Sequence, residues 1–179
     1  MEKEWFDLAD TMVKIGLGAI ISVLGAYKLS VLNHKKDIDK KMIEKKIDII
    51  EEISENADTY FYFCSSLYNT VGGMLLDSDN RGKELTEYQK KIVTSKHEDF
   101  NRALEHRNKA VSKIKILAIP GAEDALQEYN GTLKDFRRMI VFESQAPTDE
   151  FLKQVLEQFT KHKSEFYETL SQYMNSLGK

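Results

Sequence analysis

Apolar residues run almost without interruption from position 12 to position 32, broken only by Lys14, Lys28 and small polar groups. These 21 residues make a helix of roughly 30 Å, the thickness of a bilayer's hydrocarbon core. Trp5 and Tyr27 bracket the run as interface anchors do. The run is two-faced: at about 100° per residue, Asp7, Asp10, Thr11, Lys14, Gly18, Ser22, Gly25 and Lys28 fall within about 60° of one direction. Met12, Ala19, Ile20, Val23 and Tyr27 lie opposite. A lone lipid anchor has no use for a stripe of charged and small residues, whereas a helix that packs on copies of itself or faces water does. The expected element is a transmembrane helix. The uncharged run 15–27 is only 13 residues long, so a buried helix of a water-soluble domain stays open. A signal peptide does not fit, because the leader carries Glu2, Glu4, Asp7 and Asp10 and no small-x-small site follows.

Beyond position 32 the pattern changes to apolar positions spaced by three and four. Ile43, Ile47, Ile50, Ile53, Ala57, Phe61, Cys64, Tyr68, Val71 and Leu75 form one stripe, predicting a long helix over 33–76. A loop follows at Asp77-Ser78-Asp79-Asn80-Arg81-Gly82. A second helix is predicted over about 84–118, through Leu85, Tyr88, Ile92, Phe100, Ala103, Leu104, Val111, Ile114 and Leu117, and ends at Pro120-Gly121. A third covers 122–143, slightly weakened by Gly131. Thr148 or Asp149 caps a fourth over 149–177. Nothing reads as a strand. Short connections between long helices favour antiparallel neighbours. The expected fold class is all-α, with an extracytoplasmic tip and transmembrane helix in 1–32 and a cytoplasmic antiparallel four-helix bundle in 33–179.

Lysines fix the expected orientation. Lys28, Lys35, Lys36, Lys40, Lys41, Lys45 and Lys46 come at or after the span, against Lys3 and Lys14 before it. The excess places the C-terminal side in the cytoplasm and the N-terminus outside, in the inner membrane of a bacterium. The pairs Lys35-Lys36, Lys40-Lys41 and Lys45-Lys46 recur every five residues, each turned about 140° from the last. They encircle the helix, as a collar at anionic headgroups or as a solvated stem. Asp37, Asp39, Glu44 and Asp48 alternate with them, which argues against a nucleic-acid groove. A net charge of −3 and a pI near 5.9 argue the same for the whole chain, and DNA is not an expected partner. The single cysteine, Cys64, rules out an intramolecular disulfide and a cysteine-rich zinc site, and its apolar register predicts a packed core thiol.

Chemistry-bearing motifs are sparse. His34, His97, His106 and His162 sit in no Glu-x-x-His or His-Glu-x-x-His spacing. Gly72-Gly73 is not followed by the Lys-Ser/Thr of a phosphate loop. No metal or cofactor is expected. One constellation remains: Arg102 and His106 stand one turn apart, followed by Arg107-Asn108. An arginine and a histidine so placed can hold a phosphate and move a proton during RNA cleavage.

That pair resembles the motif of HEPN-class RNases, in which an arginine, often followed by Asn or His, precedes a histidine by four to six residues. Here Arg102 and His106 have three residues between them, and Arg107-Asn108 lacks a downstream histidine. The layout as a whole resembles the small single-span accessory proteins encoded beside the RNA-guided RNase of type VI-B CRISPR systems, which carry a divergent HEPN-like domain. The resemblance implies a homo-oligomeric membrane pore that strengthens antiviral defence by dissipating the membrane potential. It also implies a functional link to the RNase rather than a stable complex, while the departure from the full motif argues against RNase activity in this chain. For a pore, Gly18, Ser22 and Ala26 supply small-xxx-small spacing beside Gly25. Asp10 and Lys14, at i and i+4, can pair. Turned inward, Asp7, Asp10, Lys14, Gly18 and Ser22 would form a charged mouth above a narrow neck. The competing expectations are a membrane-tethered adaptor and a degenerate RNase.

Overall fold

The structure is a computed structural model that describes the backbone of residues 2–76 and 79–177 and the side chains of residues 26–76 and 79–177. Its elements are α1 (Glu2–Leu75), α2 (Glu87–Leu117), α3 (Ala122–Arg137), a π-helical turn (Arg138–Phe142) and α4 (Asp149–Ser176). The chain forms two compact units, residues 1–45 and 46–179.

Among the described residues, no helix is long and apolar enough to cross a membrane. This corrects the expected transmembrane helix over 12–32 and, with it, the single-pass inner-membrane placement. Lys14 and Lys28 leave an uncharged run of only 13 residues, 15–27, which as a helix rises about 20 Å, two thirds of a hydrocarbon core. The stripe of Asp7, Asp10, Lys14, Gly18, Ser22 and Gly25 lies outside the residues whose side chains are described.

The unit 46–179 is a four-helix bundle. Lys113 pairs with Glu52, and His106 meets Asn56, so α2 runs antiparallel to α1. The Tyr68 hydroxyl donates to the Leu152 carbonyl at 3.0 Å, and Tyr167 donates to Asp58, so α4 is also antiparallel to α1. Tyr129 stacks on Phe159 at 4.5 Å, and Phe136 on Phe151 at 6.5 Å, which makes α3 antiparallel to α4. Tyr60 and Tyr68 reach Asn130 and Phe136 in the same order, so α1 and α3 run parallel across the bundle. The apolar stripe does its expected work: Ile53, Ala57, Phe61, Cys64, Val71 and Leu75 are buried. So are Tyr60 and Leu67, because α1 faces three helices and needs a wider apolar face than one stripe supplies.

Thr86 caps α2 with a complete capping box: its hydroxyl accepts from the Gln89 amide, and the Gln89 side chain accepts from the Thr86 amide. α2 therefore starts at Glu87, three residues later than its apolar pattern suggests. Glu84 and Leu85 are engaged elsewhere. The Leu85 amide donates to the Ser144 carbonyl and the Ala146 amide to the Lys83 carbonyl, both at 2.7 Å, and the Gly82 amide donates to the Ala146 carbonyl at 2.9 Å. These bonds clasp the α1–α2 link to the segment before α4. Thr148, through its hydroxyl, is the cap of α4. The third helix is shorter than expected as an α-helix. Beyond Arg137 it widens into the π turn, closed by the Glu143 amide donating to the Arg138 carbonyl at 3.0 Å.

Candidate functional site

In the unit 1–45, the described part of α1 carries an unusual load of exposed apolar side chains. Tyr27, Val31, Ile38 and Met42 are 69, 52, 46 and 55% exposed. They fall within about 60° of one direction at 100° per residue. The steps from Tyr27 to Ile38 and from Val31 to Met42 are both 11 residues, a spacing that keeps a seam on one face of a nearly straight helix. Leu29, Leu32 and Ile43 are exposed on a second line. Beside the seam the charges alternate: Lys35 and Asp39 on one flank, Asp37 and Lys41 on the other. Lys35, Lys36, Lys40, Lys41 and Lys45 are exposed and Lys46 is half-buried. Lys40 lies 3.8 Å from Glu44 one turn on. With no spanning helix among the described residues, no headgroup layer is located for these lysines to collar.

In the unit 46–179, the four residues of the Arg/His motif do not converge. Arg102 has a side chain 80% exposed and sits 3.9 Å from Asp99, a surface pair worth at most about 1 kcal/mol. His106 is half-buried and turned toward α1, where its Nδ1 lies 3.0 Å from Asn56 Oδ1 and donates to it. Asn108 is exposed and accepts from the Arg107 guanidinium at 3.4 Å. Arg107 is half-buried, with its Nε enclosed and without a hydrogen-bond partner.

The bundle interior instead assembles a polar group that spans three helices. The Tyr60 hydroxyl, fully buried, donates to Asn130 Oδ1 at 2.9 Å. Burial drives the Tyr60 and Tyr129 phenols and the Cys64 thiol well above their ordinary values, so all three are neutral at pH 7. Cys64 is therefore a packed thiol, not a nucleophile. Nearby, the Arg137 guanidinium lies 4.4 Å from the centroid of the Phe100 ring. Its Nε donates to His97 Nδ1 at 3.3 Å, and Nη2 is 3.2 Å from the same atom. The His97 ring faces Phe142, which is 71% exposed at the end of the π turn. Burial first and Arg137 second hold His97 below the ordinary histidine value, while Glu98 pulls the other way.

His97 and Arg137 form no local motif, since 40 residues separate them. Only their shared place at the α2–α3 contact joins them. Among the described residues, no group of three or more His, Cys, Asp or Glu side chains is arranged to hold a metal. The surface depressions are open grooves, such as the one between α3 and α4 lined by Thr132, Asp135, Phe151 and Gln158. No protein-family model, no curated protein and no solved structure matches this chain.

Proposed function

We propose that the protein is a non-enzymatic, self-assembling helical scaffold, in which the first helix joins copies of the chain and the four-helix bundle is the body each copy presents. The observation that carries this reading is the exposed seam of Tyr27, Val31, Ile38 and Met42. A contiguous apolar surface bordered by charge marks an association site, and the alternating flanks make a second copy a complementary occupant. The scattered Arg/His motif supports a role without catalysis. The pore reading has no spanning helix among the described residues to line it, so the scaffold reading is taken forward. If the resemblance to type VI-B accessory proteins holds, such a scaffold would support an RNA-guided RNase functionally, without a stable complex.

The test is the molar mass of the full chain by light scattering during size exclusion. The expected result is an oligomer for the wild type at micromolar concentration and a shift to monomer for the Val31→Asp/Ile38→Asp double variant. A wild type that stays monomeric at 100-fold higher concentration, or a double variant with unchanged mass, refutes the assignment.

A further inference from the structure

We infer that His97 is an acid-sensitive latch: neutral, it holds Arg137 and the π turn behind it in place; protonated, it releases them. The contact works in one protonation state only. Arg137 has donors and no acceptor, so the His97 ring must offer it a bare nitrogen lone pair: Nε and Nη2 lie 3.3 and 3.2 Å from Nδ1, and Nη2 lies 3.3 Å from Nε2. Protonation removes that lone pair and sets two cations at about 3.2 Å. Few charges can absorb the change. On α2, Glu98 is the neighbouring carboxylate that favours the protonated ring; on α3 the facing charge is Arg137 itself; the other neighbours are the Phe100 and Phe142 rings. Arg137 forms no ion pair with a carboxylate among the described residues, so its acceptor at this site is the imidazole.

Release has a defined route outward. Arg137 is the last residue of α3, and the π turn starts at the next residue. The turn presents Phe142 and leads directly into Ser144 and Ala146, which form the clasp with Lys83 and Leu85. The direction follows from linkage: His97 titrates below its ordinary value in the folded chain, so its contribution to stability is present above about pH 6.5 and is lost as pH falls through the lowered value.

The experiment is amide hydrogen exchange of the full chain between pH 7.5 and 5, expressed as protection factors, with the His97 ring followed by NMR. Protection over residues 139–146 is expected to fall at least tenfold across the His97 titration while α4 stays protected. His97→Gln, which keeps an acceptor without a titration, is expected to show no such fall. In Arg137→Gln the His97 midpoint is expected to move up toward the ordinary value. Unchanged protection while His97 titrates overturns the latch. So does the same fall in His97→Gln, or an unmoved His97 midpoint in Arg137→Gln.

Discussion

Asn130→Ala should change sign with its background. In the wild type, Asn130 accepts the only strong hydrogen bond seen for the Tyr60 hydroxyl, which is fully buried. Removing it leaves that hydroxyl with the Cys64 thiol beside it, a weak acceptor. Orphaning a buried hydroxyl costs about 1–3 kcal/mol. Against this, alanine is the better helix former by roughly 0.6 kcal/mol, and position 130 lies inside α3. The net loss is about 1–2 kcal/mol. In a Tyr60→Phe chain there is no hydroxyl to orphan, and only the helix propensity remains. The same substitution should then be neutral or stabilise by up to about 0.6 kcal/mol. The assay is urea unfolding of four proteins followed by circular dichroism at 222 nm, which closes a double-mutant cycle. A coupling of about 1–3 kcal/mol is expected. If Asn130→Ala costs the same in both backgrounds, to within about 0.3 kcal/mol, the 2.9 Å bond carries no stability and the reasoning fails.

Two further predictions concern other sites of the bundle. Gly131 sits within α3, and a Cβ there would meet nothing within 4 Å; Gly131→Ala should raise stability by about 0.5–1 kcal/mol, and a loss in the same urea assay would show an unseen packing constraint. Cys64 is buried, its thiol driven up by burial; it should resist iodoacetamide in the folded chain and react once unfolded in urea, and equal rates in the two states would contradict its place in the core.

The four helices of the bundle were legible because burial there follows helical period. Ile53, Ala57, Phe61 and Cys64 stand on one stripe and are all buried. Tyr88, on the predicted stripe of the second helix, is 73% exposed, because the buried face there runs through Gln89 and Val93 instead. The π turn left no sequence signal, since Arg138–Phe142 has ordinary helix-forming residues and widens only under packing. The clasp was equally hidden: backbone hydrogen bonds between positions 83 and 146 depend on where four helices bring two loops. The apolar run at 12–32 read as a membrane span when Lys14 and Lys28 were counted as tolerable within it, whereas no helix among the described residues is long and apolar enough to cross a membrane. The interior group was missed for a different reason. Motif scanning weighs neighbours in sequence, so it selected Arg102 and His106, while the contacts belong to His97 with Arg137 and Tyr60 with Asn130.

The clasp also decides how this fold can open. α2 and α3 are joined at one end by the corner at Ala118–Gly121 and pinned at the other by the bonds of Gly82, Leu85 and Ala146. A helical hairpin closed at both ends has no free tip from which to fray. Local excursions in which α2 and α3 separate from each other must first break three backbone hydrogen bonds, and these also hold the N-terminal approach to α4. The hairpin therefore belongs to the slowest-exchanging cooperative unit of the bundle, and partial unfolding should start instead at the last turns of α4, beyond Leu170.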